Sequence, residues 1–220
     1  MIESFSLNKF KTLNENIDYL SLDIRDYNQV VKDGFIPNTL NVSLFFPNFE
    51  IWASKVVNKN KKLIIVSSGE SIKDNYDASV RLDHIGYIVE GYLEGGFGLW
   101  KKKSLPIDEL KTLKHLNVPD YLNTNKNYVV LDVREKNEWE RGVLPNSINI
   151  SLGDLEQKIP LNLIPKDKEI ISLCGAGIRS QMATSLLYKN GYKNVLNIEG
   201  GINKILEKGI KLVKYMRYKG

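Results

Sequence analysis

The sequence predicts an α/β protein made of two copies of one unit, each a mainly parallel sheet flanked by helices on both faces. Two observations carry that prediction. The chain matches itself in order: Ser21-Leu22-Asp23-Ile24-Arg25 is answered by Val130-Leu131-Asp132-Val133-Arg134, and Gly34-Phe35-Ile36-Pro37-Asn38 by Gly142-Val143-Leu144-Pro145-Asn146. Further on, Ile85-Gly86-Tyr87 is answered by Asn190-Gly191-Tyr192, and Glu94-Gly95-Gly96 by Glu199-Gly200-Gly201. A repeat this long is a duplicated domain rather than a solenoid module. Within each copy, short β-branched runs alternate with helical patterns, which implies parallel strands covered on both faces.

The second copy shows the elements in order. Residues 128–133 read as a strand and 135–141 as a charged helical segment, and a turn at Pro145 leads to a strand over 147–150. A strand over 169–173 feeds a glycine-containing loop. The helix predicted over 180–189 places Met182, Ala183, Leu186 and Leu187 on one apolar face, and Asn190-Gly191 ends it. Residues 194–198 form a last strand before Gly200-Gly201. The joining stretch, 101–127, holds Pro106, Pro119 and an amphipathic piece at 107–116; it is expected to be part linker and part the first helix of the second unit. Trp100 and Ile205 occupy matching positions and read as core.

Composition narrows the function. At 220 residues, 42% apolar and 26% charged, the chain has the make-up of a soluble globular protein. No apolar run approaches the roughly 20 residues a membrane-spanning helix needs. The first residues lack the basic and apolar regions of a secretory signal. The formal charge of +5 comes from scattered lysines without interleaved aromatics, so neither nucleic acid nor membrane is expected as a partner. A single cysteine forms no internal disulfide and fits a reducing cytoplasm.

That cysteine, Cys174, is the most informative residue. It opens the run Cys174-Gly175-Ala176-Gly177-Ile178-Arg179-Ser180 directly after the apolar Ile170-Ile171-Ser172-Leu173. A strand therefore delivers a thiol into a short loop that runs into a helix. Inward-pointing N–H groups, the helix N-terminus and the Arg179 charge all suit a nucleophilic sulfur. The alternative for a lone cysteine, an inert core residue, does not account for the glycines and the arginine around it.

Asp132-Val133-Arg134-Glu135, Gly142-x-x-Pro145-x-x-x-Asn149, the Cys174 loop and Glu199-Gly200-Gly201 together resemble the rhodanese (sulfurtransferase) family, as a tandem pair. The first copy, with Trp52 and Gly91-Tyr92-Leu93-Glu94-Gly95-Gly96, is similar to the paired rhodanese modules of metallo-β-lactamase/rhodanese fusion proteins; no metal-binding half is read here. The resemblance implies two rhodanese-like domains. One, over 1–103, is inactive, because Val66-Ser67-Ser68-Gly69-Glu70 has no cysteine; the other, over 104–220, is catalytic. It implies a persulfide on Cys174, with Gly175, Ala176, Gly177, Ile178, Arg179 and Ser180 cradling the sulfur and Arg134 as a further substrate contact. Arg134 has a second reading as an internal partner of Asp132. In the second copy, Val143 and Asn146 replace a histidine and a glycine usual in the family, a change expected to be structural.

The implied donor is thiosulfate or a low-molecular-weight persulfide, and the acceptor a thiol or cyanide. A protein sulfur acceptor or a separate persulfide dioxygenase would be a further partner. No cofactor and no metal are expected, since His84 and His115 share no motif with acidic or sulfur ligands. Two rival readings stand beside this one. A sulfur carrier or sensor would use the same loop without rapid turnover. A cysteine phosphatase would place five residues between cysteine and arginine, whereas Gly175 to Ile178 are four, a narrower cradle that suits one sulfur atom better than a phosphate.

Overall fold

The buried runs Leu63-Ile64-Ile65-Val66 and Ile170-Ile171-Ser172-Leu173 are inaccessible at every position. Side chains alternate across a strand, so a run buried throughout must be covered on both faces. In the computed structural model, which describes residues 2–114, 117–125 and 127–216, these runs are the strands before the two loops. The chain divides into two units, Met1–Leu110 and Lys111–Gly220.

The first unit runs β1 (Glu3–Phe5), α1 (Leu7–Asn14), β2 (Tyr19–Asp23), α2 (Tyr27–Asp33), β3 (Leu40–Asn41), α3 (Phe49–Val56), β4 (Lys62–Val66), α4 (Ile72–His84), β5 (Val89–Leu93) and α5 (Gly96–Lys102). The second unit follows the same plan: β6 (Lys111–Leu113), α6 (Val118–Thr124), β7 (Tyr128–Asp132), α7 (Lys136–Trp139), β8 (Ile148–Asn149), α8 (Leu152–Lys158), β9 (Glu169–Leu173), α9 (Ile178–Lys189), β10 (Val195–Ile198) and α10 (Gly201–Leu206). Each unit has one five-stranded sheet, ordered β1-β5-β4-β2-β3 and β6-β10-β9-β7-β8. Every pairing between these strands is parallel. The two sheets are thus copies of one topology, with the loop-bearing strand in the middle of each.

Each unit has its own core. Phe5, Phe10, Ile64, Val66, Phe97 and Trp100 pack together in the first, with Phe10 edge-on to Trp100 at 5.9 Å. Leu113, Val130, Ile171, Leu173, Ile198 and Ile205 do so in the second. Each fully buried side chain of this size contributes about 1.5–3 kcal/mol over an exposed one. Trp100 and Ile205 are both core residues, as the self-match requires.

Two elements differ from the sequence reading. The helix α9 starts at Ile178 rather than Ser180, and it is buried all round from Ser180 to Tyr188, not along one stripe. It packs against β9, β10 and α8 together, so its polar positions turn inward: Thr184 Oγ1 donates to the Ser180 carbonyl and Ser185 Oγ to that of Met182. The amphipathic piece at 107–116 is not a helix. Phe35 and Asp108 exchange backbone hydrogen bonds at 2.9 Å within the first unit, and residues 111–113 are the edge strand β6 on β10. The unpaired edge of β10 offers backbone partners that a short helical pattern does not. The helix of this stretch is α6, with Pro119 in its first turn, where a missing N–H costs nothing. His115, Leu116 and Lys126 lie outside the described residues.

Candidate active site

Cys174 follows the last residue of β9 and is 1% exposed. Its Sγ accepts a hydrogen bond from the Gly177 N–H at 3.1 Å, and the Ser180 hydroxyl lies 3.3 Å away. Ser180 Oγ is also 2.6 Å from Asn197 Oδ1, while Asn197 Nδ2 donates to the Gly177 carbonyl at 3.1 Å. Asn197, buried on β10, thereby fixes the hydroxyl beside the sulfur and the turn that presents the Gly177 N–H to it.

The back of the loop is braced by main chain. The N–H groups of Ile202 and Asn203, in the first turn of α10, donate to the carbonyls of Cys174 and Gly175 at 2.8 and 3.1 Å. With these carbonyls tied backward, the loop can turn N–H groups toward the thiol. The approach is close enough to demand glycine. Gly201 has φ +60°, and a Cβ there would stand 2.5 Å from the Cys174 carbonyl oxygen. Gly177, at φ +96°, makes the turn into α9.

Over the loop lies a two-point ion pair. Arg179 binds both carboxylate oxygens of Glu138, on α7, at 2.5 and 2.8 Å. These hydrogen bonds hold the Glu138 carboxyl below its ordinary value. The same bonds raise the Arg179 guanidinium, with the nearby Cys174 sulfur adding to that effect. A Cβ on Gly175 would lie 3.1 Å from Arg179 Nη2, so the pair crowds this position.

The structure brings Cys174, Gly175, Gly177, Arg179 and Ser180 together. Ala176 is exposed at the loop's tip, and Ile178 is half-buried where α9 begins. Arg134 is placed differently. It is 4% exposed, bonds both oxygens of Asp132 and donates to the Gly142 carbonyl at 2.8 Å, with a weaker bond to the Glu138 carbonyl. Arg25 makes the matching bonds to Asp23 and Gly34 in the first unit, so this is a repeated clip between a strand end and the following turn. Sequence reasoning missed Glu138 and Asn197. The signal for Asn197 was a polar residue inside the apolar Val195-Leu196-Asn197-Ile198; for Glu138 no local signal names its partner.

In the first unit the brace recurs without the thiol. Phe97 and Gly98 N–H groups donate to the carbonyls of Ser67 and Ser68 at 2.8 and 2.9 Å, which makes Ser67 the counterpart of Cys174.

Comparison with known proteins points to one family. A model described as the rhodanese-like domain matches residues 6–103 and again 118–208. The chain is 31% identical over 94 residues to the putative sulfurtransferase YtwF of Bacillus subtilis, covering 43% of this chain and 88% of that protein. It is 33% identical over 81 residues to the putative sulfur carrier protein YrkF of the same organism, covering 37% of this chain and 43% of that protein, so it spans less than half of the latter. A solved rhodanese-related protein from Thermoplasma volcanium is 32% identical, with TM-score 0.42, over 47% of this chain and 97% of that one. With both halves matched and one parallel topology repeated, the chain belongs to the rhodanese-like domain family and carries two such domains in tandem.

Proposed function

We propose that the chain is a sulfurtransferase in which the second domain, through Cys174, carries a sulfane sulfur from thiosulfate or a low-molecular-weight persulfide to a thiol or cyanide. The observation behind this reading is the placement of Sγ: buried at a strand end, met by the Gly177 N–H, in a loop whose carbonyls are tied back. The Cys174 thiolate attacks the sulfane sulfur, the donor's S–S bond breaks, and sulfite or a thiolate leaves with the electron pair. The Cys174 persulfide anion then sits among the amide donors of Gly175 to Arg179, beside Ser180. Fixed donors of this kind stabilise developing negative charge without reorganisation. Cyanide or a thiolate attacks the terminal sulfur, giving thiocyanate or a new persulfide and restoring the thiolate. With no second cysteine in the chain, the persulfide is not resolved into an internal disulfide.

Arg179 holds the anionic end of the donor through N–H groups that Glu138 does not take, and Glu138 moderates its charge. Arg134 is a structural clip in this reading. The first domain, with Ser67 at the equivalent point, transfers no sulfur. Mass spectrometry of the intact chain after incubation with thiosulfate or glutathione persulfide tests the proposal. A gain of one sulfur, absent in Cys174→Ser, is expected; no gain from either donor defeats it. Steady-state turnover with cyanide then separates a catalyst from a carrier, the reading favoured by the name of the second relative.

A further inference from the structure

Ser180 has one hydroxyl proton and three acceptors around it. Asn197 Oδ1 lies at 2.6 Å, the Gly177 carbonyl at 3.1 Å and Cys174 Sγ at 3.3 Å. A hydroxyl donates a single bond and keeps its lone pairs for others. Which acceptor holds the proton therefore decides what the sulfur meets.

The amide of Asn197 settles the question. Its Nδ2 donates to the Gly177 carbonyl at 3.1 Å, a bond the amide oxygen could not make. Oδ1 therefore faces Ser180 Oγ, and two oxygens 2.6 Å apart need a proton between them. The hydroxyl proton lies on that line, and Oγ turns a lone pair toward Sγ. The Gly177 carbonyl is the weaker rival, being farther away and already taken by Nδ2. Cys174, Ser180 and Asn197 are each at most 1% exposed, so solvent does not replace the withheld donor.

An oxygen lone pair suits a sulfur without charge and opposes one that carries it. In the free thiolate the charge sits on Sγ. The hydroxyl can then turn to Sγ only by giving up its 2.6 Å bond to Asn197. In a persulfide the charge sits on the outer sulfur, and the hydroxyl stays with Asn197. The charged groups around the loop are matched or exposed. Arg179, on α9, is bound to Glu138, on α7; Arg134 and Asp132, at the end of β7, bind each other; Glu199 and Lys204, beyond β10, are exposed.

We propose that Asn197 is a positioning residue that reserves the Ser180 proton and so favours sulfur-loaded Cys174 over its free thiolate. This rests on the sulfur-transfer reading above. When an acceptor thiolate attacks the outer sulfur, the S–S bond breaks and its electron pair returns to Sγ, where the hydroxyl is already committed. A less stabilised thiolate leaves more slowly, so the sulfur is retained.

The test is sulfur exchange between the full chain and a mixture of glutathione and glutathione persulfide, with loaded and free Cys174 counted by intact-mass spectrometry. Asn197→Leu should match wild type at about pH 6, where thiols are protonated, and lose about tenfold in the loaded-to-free ratio at about pH 10. In a Ser180→Ala background the same change should have no effect. A loss that is independent of pH, or that survives in Ser180→Ala, would reduce Asn197 to a support of the fold and overturn the proposal. Should Asn197→Leu fail to fold, ¹⁵N spectra of wild type decide. The Asn197 side-chain amide signal should coincide in the loaded form and the free form at low pH, and move in the free form at high pH; a signal that stays in place overturns the proposal. No loading of Cys174 at any pH defeats the sulfur-transfer reading and this proposal together, whereas loading without an effect of Asn197→Leu defeats this proposal alone.

Discussion

Arg179 and Glu138, 41 residues apart in the chain, meet in a two-point ion pair beside the Cα of Gly175. The Arg179 cation is therefore partly neutralised before any substrate arrives. Glu138→Gln keeps a hydrogen-bonding side chain and removes the opposing charge. Its KM for thiosulfate should fall about 3–10-fold, whereas Arg179→Ala should raise it by more than about tenfold. Cyanide-coupled kinetics measure both. Equal KM values in all three proteins would remove Arg179 from donor binding.

The Ser180–Asn197 pair should show itself in both stability and rate. Ser180→Ala leaves the buried Asn197 Oδ1 without its 2.6 Å partner, at a cost of about 1–3 kcal/mol. It also removes the hydroxyl beside Sγ, and sulfur uptake should slow about tenfold. Urea unfolding and rapid-quench mass spectrometry give the two numbers. A slow but fully stable variant would mean that Asn197 finds another partner.

Gly201 and Gly191 separate contact from backbone strain. Both have positive φ, but a Cβ on Gly191 meets nothing closer than 4.0 Å, while one on Gly201 strikes the carbonyl oxygens of Cys174 and Gly175 at 2.5 and 2.6 Å. Gly191→Ala should cost about 1 kcal/mol and leave activity intact. Gly201→Ala should cost about 2–3 kcal/mol more and abolish sulfur loading by displacing the loop. Similar melting temperatures for the two variants would refute the close approach.

Acid should weaken the first unit through Glu50. Hydrogen bonds from Arg81, at 2.6 and 2.9 Å, and from its own backbone hold this carboxyl at about 2, below its ordinary 4.5. A depressed carboxylate contributes stability above its unfolded pKa and loses it as pH falls through the folded one. The side chains are about one-third exposed, so screening limits the contribution to about 0.5–1 kcal/mol. Wild type should therefore exceed Glu50→Gln in urea midpoint at pH 7, and the gap should close between about pH 4.5 and 2. A gap that persists at pH 2 would assign the difference to packing of Arg81 on Phe49.

The duplication, the parallel sheets and the cysteine at a strand end were all legible, because each rests on local pattern: repeated motifs, apolar runs and a glycine loop. The rest depends on distant pairing. Nothing near Arg179 in sequence announces Glu138, and three residues of edge strand at 111–113 are too few for a period to register. The mixed composition of α9 showed four apolar positions, but its burial follows from neighbours on several sides. The sequence alone leaves Arg134 two roles, and its bonds to Asp132 and Gly142 favour the internal one.

The brace behind each loop grips carbonyl oxygens and asks nothing of the side chain at the strand end. Serine and cysteine are then equally compatible with the same backbone, and a duplicated chain can give up one thiol without unfolding the copy that carried it. Selection on chemistry and selection on folding act on different atoms of the same loop. One copy is thus free to change the residue at its strand end while its twin keeps the cysteine.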